Sequence, residues 1–131
     1  MILSVDYLTM ILEKIAQDSH SEVSLKKLLF LLDIKTNDEL AMEKFWHHIT
    51  ILKELKAIAC DHETLGKIRT MNGYGLVDAT FRITHSGYRT LAVFTNKDTS
   101  KEIRNRLMKV GKTVTGMALA AIISKAINHF H

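Results

Sequence analysis

Residues 74–91, YGLVDATFRITHSGYRTL, contain the strongest structural signal in the chain. Apolar and polar residues alternate from Val77 to Ile83, which predicts a β-strand with one buried face. The strand runs directly into the pattern Ile-Thr-x-x-Gly-x-x-x-Leu. Thr84 is suited to cap a helix because its hydroxyl accepts a free backbone N–H, and Gly87 would let another element approach that first turn closely. The segment therefore predicts a strand, a threonine cap and a short helix over residues 85–94.

Three helices with short connections are predicted before this strand, because apolar residues recur there at intervals of three and four. They cover a first segment from a cap at Ser4 or Asp6 to Gln17, residues 25–32 after a cap at Ser24, and residues 38–56 after a cap at Asn37 or Asp38. The polar residues 18–23 are predicted to form a loop. The order of these helices indicates a helix-turn-helix unit.

β-structure is predicted after the third helix. Residues 58–60 are a candidate strand, and residues 65–71 and 76–83 are predicted to pair as a hairpin. The predicted turn, residues 72–75, contains Asn-Gly, a frequent hairpin dipeptide. A helix-turn-helix followed by such a hairpin is typical of a winged-helix domain, in which the hairpin is the wing. The expected fold class is therefore α+β and mostly helical, a winged helix-turn-helix with a C-terminal helical extension.

The prediction divides the chain into a winged-helix domain, residues 1–94, and a helical extension, residues 95–131. The extension is predicted to contain a linker over residues 95–99, a helix over residues 100–110 capped by Asp98 or Thr99, and a helix over residues 113–130. Small residues in the last helix, Gly116, Ala120 and Ala121, allow close approach of another helix. Two alternatives are open: this helix packs on the first helix of its own domain, or it forms the interface of a homodimer.

The composition is that of a globular protein, with 47% hydrophobic and 24% charged residues among 131. The single cysteine, Cys60, cannot form an internal disulfide, which is typical of a reducing compartment. The N-terminal segment lacks the basic region and the cleavage site of a signal peptide. The longest uncharged run near the C-terminus, residues 113–124, is shorter than the roughly 20 residues that span a bilayer. A cytoplasmic location without membrane insertion is expected.

Charge is divided unevenly along the chain. Residues 1–63 hold 7 Lys/Arg and 11 Asp/Glu, a net charge of −4, whereas residues 64–131 hold 11 Lys/Arg and 3 Asp/Glu, a net charge of +8. This asymmetry favours an acidic partner for the second half, such as nucleic acid, a membrane surface or an acidic protein. Attraction between the two halves within the fold is the alternative.

Double-stranded DNA is the predicted partner, because a helix-turn-helix places its second helix in the major groove. The candidate DNA-contacting side chains lie on helix 38–56 and on the hairpin: Lys44, Trp46, His47, Thr50, Lys53, Lys67, Arg69 and Arg82. Arg69 and Arg82 are expected on adjacent strands, where both contact phosphates. Acidic residues at the start of helix 38–56 oppose this hypothesis by repelling phosphates, although they also stabilise the helix dipole. They are Asp38, Glu39 and Glu43.

The sequence contains no recognisable constellation for catalysis or metal binding. Cys60-Asp61-His62 has suitable ligand types but no matching second pair, whereas tetrahedral zinc sites need four ligands. The sequence has no Gly-rich phosphate loop, nucleophile elbow or HExxH motif. We therefore expect no enzyme activity, no metal and no cofactor.

Three passages resemble a family of uncharacterised proteins of similar length, mostly encoded by phages and prophages. They are YLTMILEKI at residues 7–15, HHITILKELKAIA at residues 47–59 and FRITHSGYRTLAVFTNKDTSKEIRNRLMKVG at residues 81–111. The resemblance implies a winged-helix fold and a phage origin, and it implies no catalytic residue because the family has no assigned activity. Where the family has a Leu-Leu-x-x-Gly-Leu-Ile passage, this chain has Lys56-Ala57-Ile58, so the glycine turn is expected to be missing.

The leading hypothesis is a small cytoplasmic winged-helix protein, dimeric through its C-terminal helices, that binds duplex DNA as a phage or prophage transcriptional regulator. The alternative is an inhibitor or immunity-type factor of winged-helix shape that binds a host protein and not DNA. The acidic start of helix 38–56 favours the alternative, and the basic hairpin favours DNA binding. A fold of this kind does not decide between them.

Overall fold

Six helices and five short strands form the part of the chain that the structure, a computed structural model, describes: residues 2–111 and 114–130. They are, in chain order, α1 (Val5–Ala16), β1 (Glu22–Ser24), α2 (Leu25–Leu31), α3 (Glu39–Glu54), β2 (Ile58–Cys60), β3 (Lys67–Thr70), β4 (Gly73–Leu76), β5 (Thr80–Ile83), α4 (His85–Thr95), α5 (Lys97–Val110) and α6 (Gly116–His129). The structure is 58% helical with small antiparallel sheets, which confirms the prediction of a mostly helical α+β protein.

β5 is the central strand of a three-stranded antiparallel sheet in the order β1-β5-β2. Phe81 in β5 lies opposite Val23 of β1 and Cys60 of β2. Phe81 and Ile83 are buried while Arg82 between them is exposed, as the alternating sequence predicts. One face of this sheet therefore packs on the hydrophobic core.

β1 lies at the end of a segment for which the sequence predicts a loop, and that prediction is wrong there. A three-residue strand is too short to show alternation, and Val23 is its one buried residue. The strand forms because its backbone pairs with β5, which comes much later in the chain. Local sequence carries no trace of such a long-range pairing.

The observed hairpin differs from the predicted one in which strands pair and in which residues lie opposite each other. β3 pairs with β4 through a two-residue turn at residues 71–72, so residues 73–75 belong to a strand and not to the turn. Beyond β4 the chain turns toward α2, where the Leu25 N–H donates to the Ala79 carbonyl at 2.7 Å. Residues 76–83 are therefore not one continuous strand, and β5 pairs with β1 and β2.

Side-chain caps begin the first four helices at positions that the sequence predicts. A side-chain oxygen of each cap accepts an N–H of the first turn, and the caps of α1 to α4 are Ser4, Ser24, Asp38 and Thr84. α5 differs, because Asn96 caps it by accepting the N–H groups of Asp98 and Thr99. The predicted linker over residues 95–99 and its two candidate caps are therefore wrong.

Thr84 and Gly87 attach the start of α4 to the end of α3. The Thr84 hydroxyl donates to the Lys56 carbonyl at 2.6 Å and accepts the Gly87 N–H at 3.0 Å. The Thr84 N–H donates to the Ala57 carbonyl at 3.1 Å. Gly87 packs against that same carbonyl so closely that a Cβ atom would overlap it. The predicted cap and the predicted close approach at the glycine are both confirmed.

α3 ends in a left-handed turn although no glycine is present there. Lys56 has a φ of +60°, its N–H donates to the Lys53 carbonyl at 2.9 Å, and the Ala57 N–H donates to the Leu52 carbonyl at 3.0 Å. These two bonds form a Schellman motif, in which glycine usually takes the left-handed position. The turn that the family resemblance suggests is missing is therefore present, and a lysine makes it.

We expect Lys56→Gly to raise the free energy of unfolding by about 1 kcal/mol, because glycine takes up the left-handed conformation without side-chain strain. Urea unfolding followed by circular dichroism measures the change. Lys101→Gly, at an exposed position within α5, is the matched control and should lower stability by about 1 kcal/mol. Destabilisation by Lys56→Gly would contradict the left-handed turn.

α5 and α6 share one hydrophobic core with the helices and strands before them. Ile103 of α5 and Leu119 of α6 are fully buried in the same cluster as Phe81. The main neighbours of α6 are α3 and α5, so its predicted packing on the first helix is wrong in the choice of partner. At its start, the Gly116 N–H donates to Oε1 of Glu54 in α3 at 3.2 Å.

α6 begins at Gly116, with Thr115 as its cap, and Thr113, the predicted first residue, lies outside the described residues. The outer side of the helix includes Ala120 and Ala121, which are exposed. Gly116 therefore packs against another helix of the same chain, whereas Ala120 and Ala121 face outward. A homodimer through the outer side stays a prediction.

Candidate partner-binding surface

The two lysines predicted to contact DNA from α3 are both engaged within the fold. The Nζ of Lys44 lies 4.6 Å from the centre of the Tyr7 ring, on the side of α1. The Nζ of Lys53 donates to the Glu63 carbonyl at 2.9 Å. Residues nine positions apart lie on opposite sides of an α-helix, because each residue turns by about 100°. These two ammonium groups therefore do not converge on one surface.

Of the other three α3 residues predicted to contact DNA, only Thr50 is exposed. Trp46 is half-buried, and its ring lies edge-on to the Phe45 ring with 5.2 Å between centres. His47 is half-buried, and its Nε2 is enclosed without a hydrogen-bond partner among the described residues. Burial lowers the pKa of His47, so this ring is held neutral and offers no positive charge near pH 7.

Lys67 joins the β3–β4 hairpin to α3. Its Nζ lies 4.3 Å from the centre of the Tyr74 ring and 5.9 Å from the centre of the Trp46 ring, which are cation–π distances. Arg69 lies opposite Tyr74 in the hairpin and is exposed. The hairpin therefore rests on the Trp46 side of α3, and Arg69 remains as its exposed cation.

Arg82 belongs to a different sheet from Arg69. It lies in β5, opposite Glu22 of β1 and Ala59 of β2. The prediction that Arg69 and Arg82 occupy adjacent strands is therefore wrong, because β3 pairs with β4 and not with β5. The eight predicted side chains do not form a single cationic surface.

The exposed ridge of α3 is acidic. Glu39, Glu43, Thr50 and Glu54 are all exposed, and their intervals of four, seven and four place them on one side of the helix. The Glu39 and Glu43 carboxylates would repel the DNA phosphates if this ridge entered a major groove, whereas the Glu54 carboxylate accepts the Gly116 N–H of α6. The ridge thus disfavours the predicted use of this helix for reading DNA.

His48 connects α3 to the start of α1 from a fully buried position. The Ser4 N–H donates to its Nε2 at 3.0 Å, so the proton lies on Nδ1, which donates to the Lys44 carbonyl at 2.7 Å. The Tyr7 ring packs with its centre 4.6 Å away. Burial lowers the pKa of His48 to about 4. This role is not among those predicted from the sequence, although the three-residue spacing from Phe45 places His48 on the apolar side of α3.

Stability is expected to fall by about 2 kcal/mol between pH 7 and pH 5 because of His48. The folded pKa of about 4 lies below the ordinary value of 6.5, so this contribution is complete above pH 6.5 and is lost as the pH falls toward 4. Urea unfolding across this pH range should show a flatter dependence for His48→Gln.

His85→Gln is the matched control for this prediction, since His85 is exposed on α4. It should keep the wild-type pH dependence. The same slope in wild type and His48→Gln would contradict the assigned role of His48. The neighbouring His47, whose pKa is also lowered, contributes in the same direction and remains in both variants.

A groove of about 640 Å³ lies between α2, the turn after α2 and β4. We call it the hairpin groove, and it is lined by Lys26, Leu29, Phe30, Ile34, Lys35, Thr36, Asn37 and Leu76. Phe30 is 81% exposed and Leu76 is 38% exposed, so apolar side chains meet solvent at this groove. The groove is not among the sites predicted from the sequence. The one sequence feature that indicates it is the position of Phe30, which lies off the apolar stripe of its helix.

Neither a protein-family model, nor a curated protein, nor a solved structure matches this chain. Its function is therefore argued from its own residues. Over residues 2–111 and 114–130, no helix has the length and apolar character needed to cross a membrane. In the same part of the chain, His, Cys, Asp and Glu side chains do not gather in groups of three or more that would hold a metal ion. The expectations of no cofactor and no enzyme activity stay predictions.

Proposed function

We propose that this protein is a winged-helix module that binds another protein through α2, α3 and the β3–β4 hairpin. The order of elements supports the winged helix. A helix pair, α2 and α3, is followed by a hairpin inserted between β2 and β5, and the sheet order is β1-β5-β2. The hairpin rests against α3, as a wing does, through Lys67.

Exposed apolar side chains carry the proposal of a protein partner. Phe30 on α2 and Met71, Tyr74 and Leu76 on the hairpin are all exposed. Phe30 and Leu76 lie together at the hairpin groove, and adjoining exposed apolar side chains mark sites of protein association. Aromatic residues and methionine, such as Tyr74 and Met71 on the same hairpin, are enriched in protein interfaces. The acidic ridge of α3 suits a protein partner better than a DNA groove, where its carboxylates would meet phosphates.

Binding of duplex DNA is the second candidate, and the element order and the exposed Arg69 favour it. In this case the protein would regulate transcription in a phage or prophage, with the hairpin on the DNA backbone. Fluorescence anisotropy with random-sequence duplex DNA over a salt series tests it. Micromolar binding that weakens steeply with salt supports DNA as the partner. No binding at low salt removes this candidate.

Capture experiments with surface variants test the leading proposal. We expect a protein captured from a cell extract by the wild type to be retained at least tenfold less by Phe30→Glu, because a charge at the centre of an apolar contact must be desolvated. Met117→Glu is the matched control, since Met117 is 84% exposed but lies on α6. Equal capture by the wild type and both variants would contradict the proposed surface.

A further inference from the structure

We infer that the hairpin groove binds an acidic segment of the partner, which inserts a bulky apolar side chain between the lysines at its rim. This inference rests on the proposed function and names the chemistry of the partner. It places the contact at one edge of the proposed surface, where α2 and β4 face each other.

The apolar lining of the hairpin groove favours binding of a bulky apolar side chain from the partner. Leu29 is buried and Ile34 is half-buried, whereas Phe30 and Leu76 are exposed. A volume of about 640 Å³ is within the range of sites that take up a large side chain or small ligand. An aromatic or leucine side chain in the groove would cover Phe30 from water.

The positive charges of two lysines at the groove favour carboxylates on the partner. The ionisable residues that line the groove are Lys26 and Lys35, and both are exposed. Neither forms an ion pair with another described residue, in contrast to Lys27, whose Nζ lies 2.8 Å from the Asp18 carboxylate. Two unpaired ammonium groups beside the apolar hairpin groove favour a partner segment in which the inserted apolar side chain is flanked by Asp or Glu.

Acidic residues near the groove do not reverse this charge preference. Asp33, Asp38 and Glu39, the first residue of the acidic ridge, are exposed near the turn after α2, but none of them lines the groove. The Asp38 carboxylate is engaged as the cap of α3. The aliphatic lining includes Leu29, Ile34 and Leu76. It favours a peptide over a nucleic acid, because an apolar side chain fills such a lining, whereas desolvating charged phosphates beside it is costly.

Selection from a random dodecamer peptide library displayed on phage, with the full chain immobilised, tests the inference. We expect enriched peptides to contain an aromatic residue or leucine flanked by Asp or Glu. Anisotropy with these labelled peptides should show at least tenfold weaker binding to the double variant Lys26→Glu/Lys35→Glu. The control Lys101→Glu/Lys109→Glu changes two exposed lysines of α5 and should bind as the wild type does.

Three outcomes would overturn the inference: no enriched peptide, enrichment of basic peptides, or acidic peptides that bind the Lys26→Glu/Lys35→Glu variant as they bind the wild type. Displacement of the peptides by a single-stranded oligonucleotide would instead assign the groove to nucleic acid. The proposed function fails separately, when the extract protein is captured equally by the wild type and Phe30→Glu. Capture that is lost with Phe30→Glu but kept with Lys26→Glu/Lys35→Glu would keep the proposed surface and reject the acidic segment.

Discussion

Gly87→Ala is expected to lower the free energy of unfolding by about 3 kcal/mol or more, enough to unfold a large fraction of a marginally stable domain. A Cβ at position 87 would overlap the Ala57 carbonyl and lie 2.6 Å from Cγ1 of Ile83. The obstructing oxygen belongs to the backbone and accepts the Thr84 N–H, so it cannot move without breaking that bond. Urea unfolding followed by circular dichroism measures the loss.

The direction of the stability change distinguishes close packing at position 87 from the effect of helix propensity. Alanine has the higher helix propensity, so the same change at an exposed helical site would stabilise by about 1 kcal/mol. Ser86→Ala, one position earlier and exposed, is the matched control and should stay within about 0.5 kcal/mol of the wild type. A Gly87→Ala protein as stable as the wild type would show that α4 does not approach the end of α3 so closely.

Gly116→Ala is expected to lower the free energy of unfolding by about 3 kcal/mol through loss of contact between α6 and α3. A Cβ at position 116 would overlap the Cβ of Glu54, and it would lie 3.2 Å from Oε1 of the same residue. The Cβ of Glu54 is fixed to the α3 backbone, so α6 must shift and uncover buried residues such as Leu119.

A double variant sharpens this second test. Glu54→Gly removes the obstructing Cβ, so Gly116→Ala should cost much less in that background, and the coupling should be at least 1 kcal/mol. The loss should not depend on protein concentration, because the contact lies within one chain. Simple additivity of the two substitutions, or a loss that grows on dilution, would contradict internal packing of α6 on α3.

The proposed surface depends on how the hairpin is held. Lys67 lies between Tyr74 of the hairpin and Trp46 of α3. Leu76, at the end of the hairpin, lines the hairpin groove together with residues of α2. Lys67, a residue predicted to contact phosphates, therefore lies close to two aromatic rings of its own chain.

Several features could be predicted because they depend on neighbouring residues alone. A cap contacts an N–H two or three residues away, and Ser24, Asp38 and Thr84 were therefore recognisable as helix starts. The alternation of apolar and polar residues around Phe81 predicts a strand with one buried face, because it too depends on neighbouring residues alone. The close approach at Gly87 was also expected, but the Ala57 carbonyl as its neighbour was not.

The mostly helical α+β class, four of the six helix starts and the central strand can be predicted from the sequence, because capping and periodic burial are local properties of the chain. Tertiary structure alone decided which strands pair, that Lys56 adopts a left-handed conformation, and that Lys44 and Lys53 are engaged within the fold. It also decided that Phe30 stays exposed beside Leu76. Pairing and exposure depend on every element that packs nearby, and residues distant in sequence supply those elements.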